Sequence, residues 1–191
     1  MCDDCRSLLE IPEYSYCLCD SNHTVIPPGQ NFGKCPKCKD KKLSGLYFGL
    51  PYKEKALTRK LVHQFKYKPY LKDLAKTLAS IIIEQLVISG RNTEIIWKNS
   101  ALVPIPLEIK KIKTRGYNQS EELAKELSFF IKIPVLSDVL LKIKTTKAQM
   151  ELSKEERHKN LAGAFIIKKP EKFSGKKVFL VDDVYTTGAT M

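Results

Sequence analysis

The sequence from residue 178 to residue 190 reads Val-Phe-Leu-Val-Asp-Asp-Val-Tyr-Thr-Thr-Gly-Ala-Thr. Its first four residues are an unbroken apolar run, which is typical of a parallel strand buried on both faces of a sheet. Ligands of open α/β sheets bind just beyond the carboxyl ends of such strands. The stretch therefore predicts a parallel α/β sheet with a ligand site that begins at Asp182.

The residues after this strand have the chemistry to bind a phosphorylated sugar. Asp182 and Asp183 carry carboxylates that accept hydrogen bonds from neighbouring ribose hydroxyls. A turn rich in hydroxyl groups comes next, and at the start of a helix its hydroxyls and amides would donate to a phosphate. This predicted phosphate turn consists of Thr186, Thr187, Gly188, Ala189 and Thr190.

The acidic pair alone does not choose a fold family. Acidic pairs also follow strands in receiver and phosphatase-like folds, so the specificity comes from the whole stretch of residues 178–190. The sequence contains no Gly-x4-Gly-Lys-Ser/Thr pattern, which argues against a nucleotide-binding P-loop.

Composition and charge indicate one globular core and an anionic partner. The chain has 191 residues, of which 43% are hydrophobic, enough for one α/β core and a small appendage. Residues 1–33 contain one basic and five acidic side chains, a balance of −4, so the remaining residues carry +16 and the whole chain +12. Such an excess favours polyanions, although lysine-rich surfaces also serve solubility. With neither a signal peptide nor a membrane-spanning apolar stretch, we expect a cytoplasmic protein without membrane insertion.

Six cysteines form three closely spaced pairs within the first 43 residues. In a reducing compartment such pairs favour zinc over disulfides, because two thiolates on one tight turn can share a tetrahedral ion. We predict one closed structural zinc site and half of a second site; His23 is either an alternative ligand or a solvated loop residue. The complete site consists of Cys17, Cys19, Cys35 and Cys38, and the half site of Cys2 and Cys5.

One basic segment, residues 49–69, also has an apolar stripe at helical spacing. We favour a solvated amphipathic helix whose aromatic residues pack inward. The alternative is a surface for single-stranded DNA, in which aromatic side chains stack on bases beside the lysines of residues 53–72. The stripe consists of Leu57, Leu61, Val62 and Phe65, and the candidate stacking residues are Phe65, Tyr67 and Tyr70.

The remaining periodic segments predict alternating strands and helices. A helix is expected from residue 71 to about residue 86, and a strand over residues 101–105. A second helix is expected to start with Ser120 as its N-cap. Short strands are expected near residues 139–143 and 164–167. Such alternation implies a parallel sheet covered by helices on both faces.

Three further stretches complete a family pattern. Residues 102–107 read Leu-Val-Pro-Ile-Pro-Leu, and residues 115–120 read Arg-Gly-Tyr-Asn-Gln-Ser. The third stretch consists of Gln149 through Arg157 with Asn160 and Phe165. Together with residues 178–190 they resemble the type I phosphoribosyltransferases and, among these, the ComF family of competence-associated proteins. Members of that family carry an N-terminal double zinc ribbon. The resemblance covers nearly the whole chain.

The resemblance implies a site for 5-phosphoribosyl-1-diphosphate (PRPP) together with Mg²⁺. Residues 103–106 correspond to a turn that faces the diphosphate, and residues 115–119 to the region near a mobile active-site loop. Arg115 would donate charge-assisted hydrogen bonds to phosphate, or it pairs instead with Glu121 or Glu122. No general base is singled out. The diphosphate and flexible-loop residues are Arg115, Gly116, Tyr117, Asn118 and Gln119.

The same resemblance divides the chain into two domains. Residues 1–43 are expected to form an incomplete zinc ribbon. Residues 44–191 are expected to form a phosphoribosyltransferase-like domain that is truncated after Met191, which would weaken the PRPP site.

Three functional hypotheses follow. The first is a PRPP-binding protein of DNA uptake and natural transformation, which if active is a phosphoribosyltransferase, hence a glycosyltransferase, with an unidentified acceptor. The second is a single-stranded-DNA-binding protein without catalysis. The third is a scaffold whose zinc ribbon docks onto other competence proteins.

Overall fold

The structure is a computed structural model that describes residues 6–9, 11–13, 15–16, 25–26, 42–52, 55–89, 93–144 and 161–185. The chain divides into two compact units, Met1–Ile96 and Trp97–Met191. The described residues combine helices with small parallel and antiparallel sheets, so the prediction of a mixed α/β protein is confirmed. The predicted domain boundary after residue 43 stays a prediction. In the described part of the chain, no helix is long and apolar enough to cross a membrane.

The first unit is built around two helices, α1 (Ala56–Lys66) and α2 (Leu74–Ile88), as the helical spacing of apolar residues predicted. It also contains a short antiparallel pair, β1 (Ser15–Tyr16) and β2 (Val25–Ile26). The apolar stripe of α1 faces inward because burial removes its surface from water. The core contains Leu9, Leu61 and Ile81, surrounded by Ile11, Leu50, Leu57 and Leu74.

The burial of α1 favours the interpretation as a solvated amphipathic helix. Phe65 is fully buried, whereas Arg59 and Lys60 on the same helix are exposed. The suggestion that Phe65 stacks on bases is therefore wrong, because a ring inside the core presents no face to a nucleotide. The ring of Tyr67 lies 4.8 Å from that of His63.

The second unit contains the parallel pair β3 (Ser100–Pro104) and β6 (Lys177–Val181), in which Leu102 is paired with Phe179. A short helix, α3 (Thr93–Trp97), precedes β3. On the other side of β3, the Leu102 N–H donates to Pro134 O at 2.9 Å and the Leu136 N–H donates to Leu102 O at 2.8 Å. Both strands were predicted, and β3 is completely buried.

Burial of β6 differs from the expectation. Val181 is buried, but Val178 is 41% exposed, so the prediction of a strand buried on both faces is wrong for its amino-terminal half. The apolar run alone did not reveal this, because burial depends on which elements cover each end of the strand.

Two further strands, β4 (Leu140–Lys142) and β5 (Phe165–Ile167), form a separate antiparallel pair. Their positions confirm the predicted strands, but the expectation that they join a parallel sheet is wrong. A 3₁₀-helix follows at Pro170–Phe173. The finer assignment, a phosphoribosyltransferase-like sheet with helices on both faces, stays a prediction.

Helices α4 (Ile109–Arg115) and α5 (Gln119–Ile131) follow β3 in the chain. Helix α5 packs against both β3 and β6. Helix α4 ends at Gly116, whose φ of 83° lies in the left-handed region that glycine adopts without strain. This turn directs the chain from α4 into α5.

Replacing Leu102 with alanine should destabilise the second unit by about 2–5 kcal/mol, because the side chain is 2% exposed at the centre of the sheet and its loss leaves a cavity. Chemical denaturation would measure the change. Val178→Ala, at the half-exposed start of β6, is the control and should change stability by about 0.5 kcal/mol. Equal effects of the two substitutions would contradict the difference in burial between Leu102 and Val178.

The turn before β4 is linked to the 3₁₀-helix by ion pairs. The Lys172 Nζ donates to Asp138 Oδ2 at 2.8 Å and to Oδ1 at 2.9 Å, and the Lys169 Nζ contacts the same carboxylate. These hydrogen bonds hold the pKa of Asp138 well below its usual range. Because the group is exposed, salt screens the interaction.

Asp138→Asn should lower the apparent melting temperature of the second unit slightly at neutral pH and low salt. Because the pKa of Asp138 is lower in the folded state than in the unfolded state, its ion pairs stabilise the fold fully at pH values above 3.8, its pKa in the unfolded state. This stabilisation is lost as the pH falls below that pKa. The difference between wild type and variant should therefore shrink on acidification below about pH 4. Asp73→Asn is the matched control, and a difference that persists unchanged at pH 3 would exclude this role for Asp138.

Candidate functional site

The carboxyl ends of β3 and β6 lie at the same edge of the parallel pair. Pro104 is in register with Val181, and the Ile105 N–H donates to Val181 O at 2.9 Å, one residue beyond β3. The turn at residues 103–106 and the acidic pair that begins at Asp182 therefore leave the sheet next to each other. This is the position at which ligands of open α/β sheets bind.

The start of α5 is attached to this edge by the side chain of Asn118. Its Oδ1 accepts from the Ser120 N–H at 3.2 Å, and its Nδ2 donates to Ile105 O at 3.0 Å. Asn118 has the extended backbone of an N-cap residue, and its side chain satisfies one of the backbone donors that the first turn of a helix leaves open.

The prediction that Ser120 caps this helix is wrong, because Ser120 is already the second helical residue and Asn118 is the cap. Asparagine and serine have similar N-cap preferences, so both residues were candidates on local sequence. Asn118 alone reaches back to the carbonyl of Ile105, and this tertiary hydrogen bond decides between them.

Ser120 has a different role, which the sequence did not reveal. Its Oγ donates to Asp182 Oδ1 at 3.1 Å, and the Asp183 N–H donates to the same oxygen at 2.9 Å. Ser120 is 4% exposed, whereas the two aspartates are half-buried. The positive end of α5 adds a favourable field for a carboxylate. The structure thus brings the acidic pair and the Arg-Gly-Tyr-Asn-Gln-Ser stretch together.

Arg115 is the last residue of α4, and its guanidinium donates to Gln119 Oε1 at 3.0 Å. Between them, Gly116 ends the helix, while Tyr117 and Asn118 are buried. The sequence suggested Glu121 or Glu122 as an alternative partner of Arg115. Both carboxylates form ion pairs with Lys125 at 3.0 Å. These ion pairs do not decide whether Arg115 binds phosphate. The diphosphate role and the mobility of this segment stay predictions.

Basic side chains lie on α4, the helix that ends at Arg115. Lys110 and Lys113 are exposed on α4. On β4, burial lowers the pKa of Lys142, the charge of Lys111 lowers it further, and Glu108 acts in the opposite direction. The lysines of α4 follow β3 closely in the sequence and raise the local positive potential, which favours an anionic ligand.

The chain is similar to proteins of bacterial competence and DNA utilization. It is 33% identical over 132 residues to Competence protein F of Haemophilus influenzae, and 30% identical over 131 residues to DNA utilization protein YhgH of Escherichia coli. It is also 32% identical over 94 residues to Competence protein ComFC of Bacillus subtilis. These relatives support membership of the ComF family.

The matched region covers 69% of the chain in the first two comparisons, and it covers 57% and 56% of those two relatives. The chain thus spans little more than half the length of these two relatives. For ComFC the match covers 49% of the chain and 36% of the relative. No family model and no solved structure matches the chain.

The predicted zinc ligands and phosphate turn lie outside the described residues. All six cysteines belong to this group, as do residues 186–190. Within the described ranges, no cluster of three or more histidine, cysteine, aspartate or glutamate side chains is arranged to hold a metal ion. The zinc ribbon expected from the resemblance to the ComF family therefore stays a prediction. Strand β1 ends at Tyr16, the residue before the predicted ligand Cys17.

Asn118→Ala should destabilise the second unit by about 1–3 kcal/mol, because it removes the cap of α5 and leaves Ile105 O without this donor. Denaturant titration would measure the loss. Asn118→Ser is the control: it retains an N-cap acceptor but is too short to preserve the hydrogen bond to Ile105, so its effect should be intermediate. An alanine variant as stable as wild type would refute the bridging role of Asn118.

Proposed function

We propose that the chain binds PRPP with Mg²⁺ at the shared carboxyl edge of β3 and β6. The observation that carries this proposal is the hydrogen-bonded arrangement of Ser120, Asp182 and Asp183 at that edge. An acidic pair held in place beyond a parallel strand is suited to the vicinal hydroxyls of a ribose. The resemblance of the surrounding sequence to type I phosphoribosyltransferases supports the same ligand.

The ligand's two kinds of group require two kinds of partner. The carboxylates of Asp182 and Asp183 accept from sugar hydroxyls, but they would repel phosphate. Phosphate groups would instead be bound by the predicted turn at residues 186–190 and by Arg115 with the cations of α4. A basic environment next to an acidic pair is therefore the charge distribution that a sugar phosphate needs.

Mg²⁺ fits the chemistry of this edge, because the two carboxylates supply the oxygen donors that this hard cation prefers. When bound with PRPP, the ion neutralises charge on the diphosphate. The chain's own residues would bind the ribose and orient its C1 carbon.

If the protein catalyses transfer, a nucleophile of the acceptor forms a bond to C1 of the ribose while the bond from C1 to diphosphate breaks. The transition state has oxocarbenium character, and positioning with electrostatic stabilisation can supply most of the catalysis. No side chain need act as a general base in such a mechanism. On this proposal the protein is a phosphoribosyltransferase, a glycosyltransferase by reaction class.

The names of the relatives suggest the process in which this activity operates. Competence protein F and DNA utilization protein YhgH are similar over about two thirds of the chain. We propose a role in DNA uptake during natural transformation. The cysteine pairs would form structural zinc sites, and the zinc ribbon would be the surface that docks onto other competence proteins.

Single-stranded DNA is the second candidate ligand, favoured by the exposed cations of α1, among them Arg59 and Lys60. With Phe65 buried, such binding would depend mainly on contacts to phosphates. Its affinity should therefore fall steeply with salt concentration, whereas PRPP binding should depend on Mg²⁺ and on the acidic pair.

The test is calorimetric titration of the chain with PRPP in the presence of Mg²⁺. Wild type should bind, and Asp182→Asn with Asp183→Asn should bind at least about tenfold more weakly, equivalent to about 1.4 kcal/mol. The double variant Asp73→Asn with Asp138→Asn makes the same change in net charge at residues that are not part of the proposed site, and it should bind like wild type. Release of diphosphate in the same samples would report turnover.

Two outcomes would contradict the PRPP proposal. If wild type does not bind PRPP, PRPP is not the ligand. If wild type and the acidic-pair variant bind with equal affinity, the ligand does not bind at Asp182 and Asp183. Steeply salt-dependent binding of a single-stranded oligonucleotide, lost on charge reversal of Arg59 and Lys60, would support the second candidate.

A further inference from the structure

The Asp182 carboxylate is hydrogen-bonded through its Oδ1 atom. Asp182 Oδ1 accepts two hydrogen bonds, one from the Ser120 hydroxyl at 3.1 Å and one from the Asp183 backbone at 2.9 Å. The first of these donors belongs to α5 and lies 62 residues away in the sequence. The orientation of Asp182 therefore depends on a second element of the fold.

The position of Ser120 is itself closely determined. Its N–H donates to Asn118 Oδ1 at 3.2 Å, and Asn118 Nδ2 donates to Ile105 O at 3.0 Å. Ser120 is also 4% exposed, with little space to adopt another rotamer. A continuous set of hydrogen bonds thus leads from the end of β3, through the start of α5, to the carboxylate that follows β6.

We propose that Ser120 is a positioning residue, which orients the Asp182 carboxylate to receive the ribose hydroxyls of PRPP. This inference rests on the proposed function of the same site. The terminal torsion of an aspartate has a broad distribution, so a carboxylate without such a partner samples many orientations. If Oδ1 is already fixed before the ligand binds, less side-chain entropy is lost on binding, and the affinity is higher.

The position of Ser120 also distinguishes it from a residue that only stabilises α5. Ser128 lies on the same helix, and its Oγ donates to Ile133 O at 2.6 Å. Both serines make one side-chain hydrogen bond to another element or turn. Only Ser120 contacts the acidic pair, so Ser128→Ala is a matched control for the loss of a serine hydroxyl from α5.

The experiment compares PRPP affinity with Mg²⁺ among wild type, Ser120→Ala, Ser120→Thr and Ser128→Ala in the full chain, with thermal unfolding measured on each. Ser120→Ala should bind on the order of tenfold more weakly. Ser120→Thr retains the hydroxyl and should restore affinity. Ser128→Ala should lower stability and leave affinity unchanged. Ser120→Cys keeps the side-chain volume with a poor donor, and replaces the alanine variant if that variant does not fold.

Each outcome decides the role of Ser120. Weaker binding by Ser120→Ala but not by Ser128→Ala supports positioning. Equal affinity of Ser120→Ala and wild type, or equal losses in both alanine variants, overturns it while the proposed PRPP site stands. A threonine variant that folds like wild type but binds like the alanine variant also overturns it. Wild type that does not bind PRPP overturns the proposed function and this inference together.

Discussion

The candidate site depends on the side-chain amide of Asn118. One end of this amide accepts from the start of α5, and the other donates to the carbonyl of Ile105 just beyond β3. Asn118 is also largely buried, and buried polar groups need partners that satisfy them. A single residue therefore sets how the helix meets the sheet. The contact between Ser120 and Asp182 follows from that placement.

The arrangement separates two tasks that one ligand would impose. On the proposed function, the carboxylates that would receive sugar hydroxyls follow β6. The carboxyl end of this strand is buried at Val181 and is held by the ladder to β3. The exposed cations Lys110 and Lys113, which are suited to phosphate, lie on α4. The acidic pair and these cations therefore lie on separate elements of the second unit.

In the first unit, the basic segment around α1 was compatible with two interpretations, a solvated amphipathic helix and a surface for single-stranded DNA. Helix α1 exposes Arg59 and Lys60 and buries most of its apolar stripe. The same residues were compatible with inward packing and with base stacking, because the residue types and spacing are identical in both cases. Burial of Phe65 leaves an electrostatic surface without that aromatic platform.

The sequence by itself determined the positions of β3 and β6, the helical character of α1, α2 and α5, and the presence of an acidic pair after a strand. These features depend on apolar runs and on helical spacing, which are local properties of the chain. Only the tertiary structure decided that β4 and β5 pair antiparallel, that Asn118 rather than Ser120 caps α5, and that Ser120 contacts Asp182. The physical reason is that strand register and hydrogen bonds between distant residues depend on how elements pack, and no local pattern carries that information.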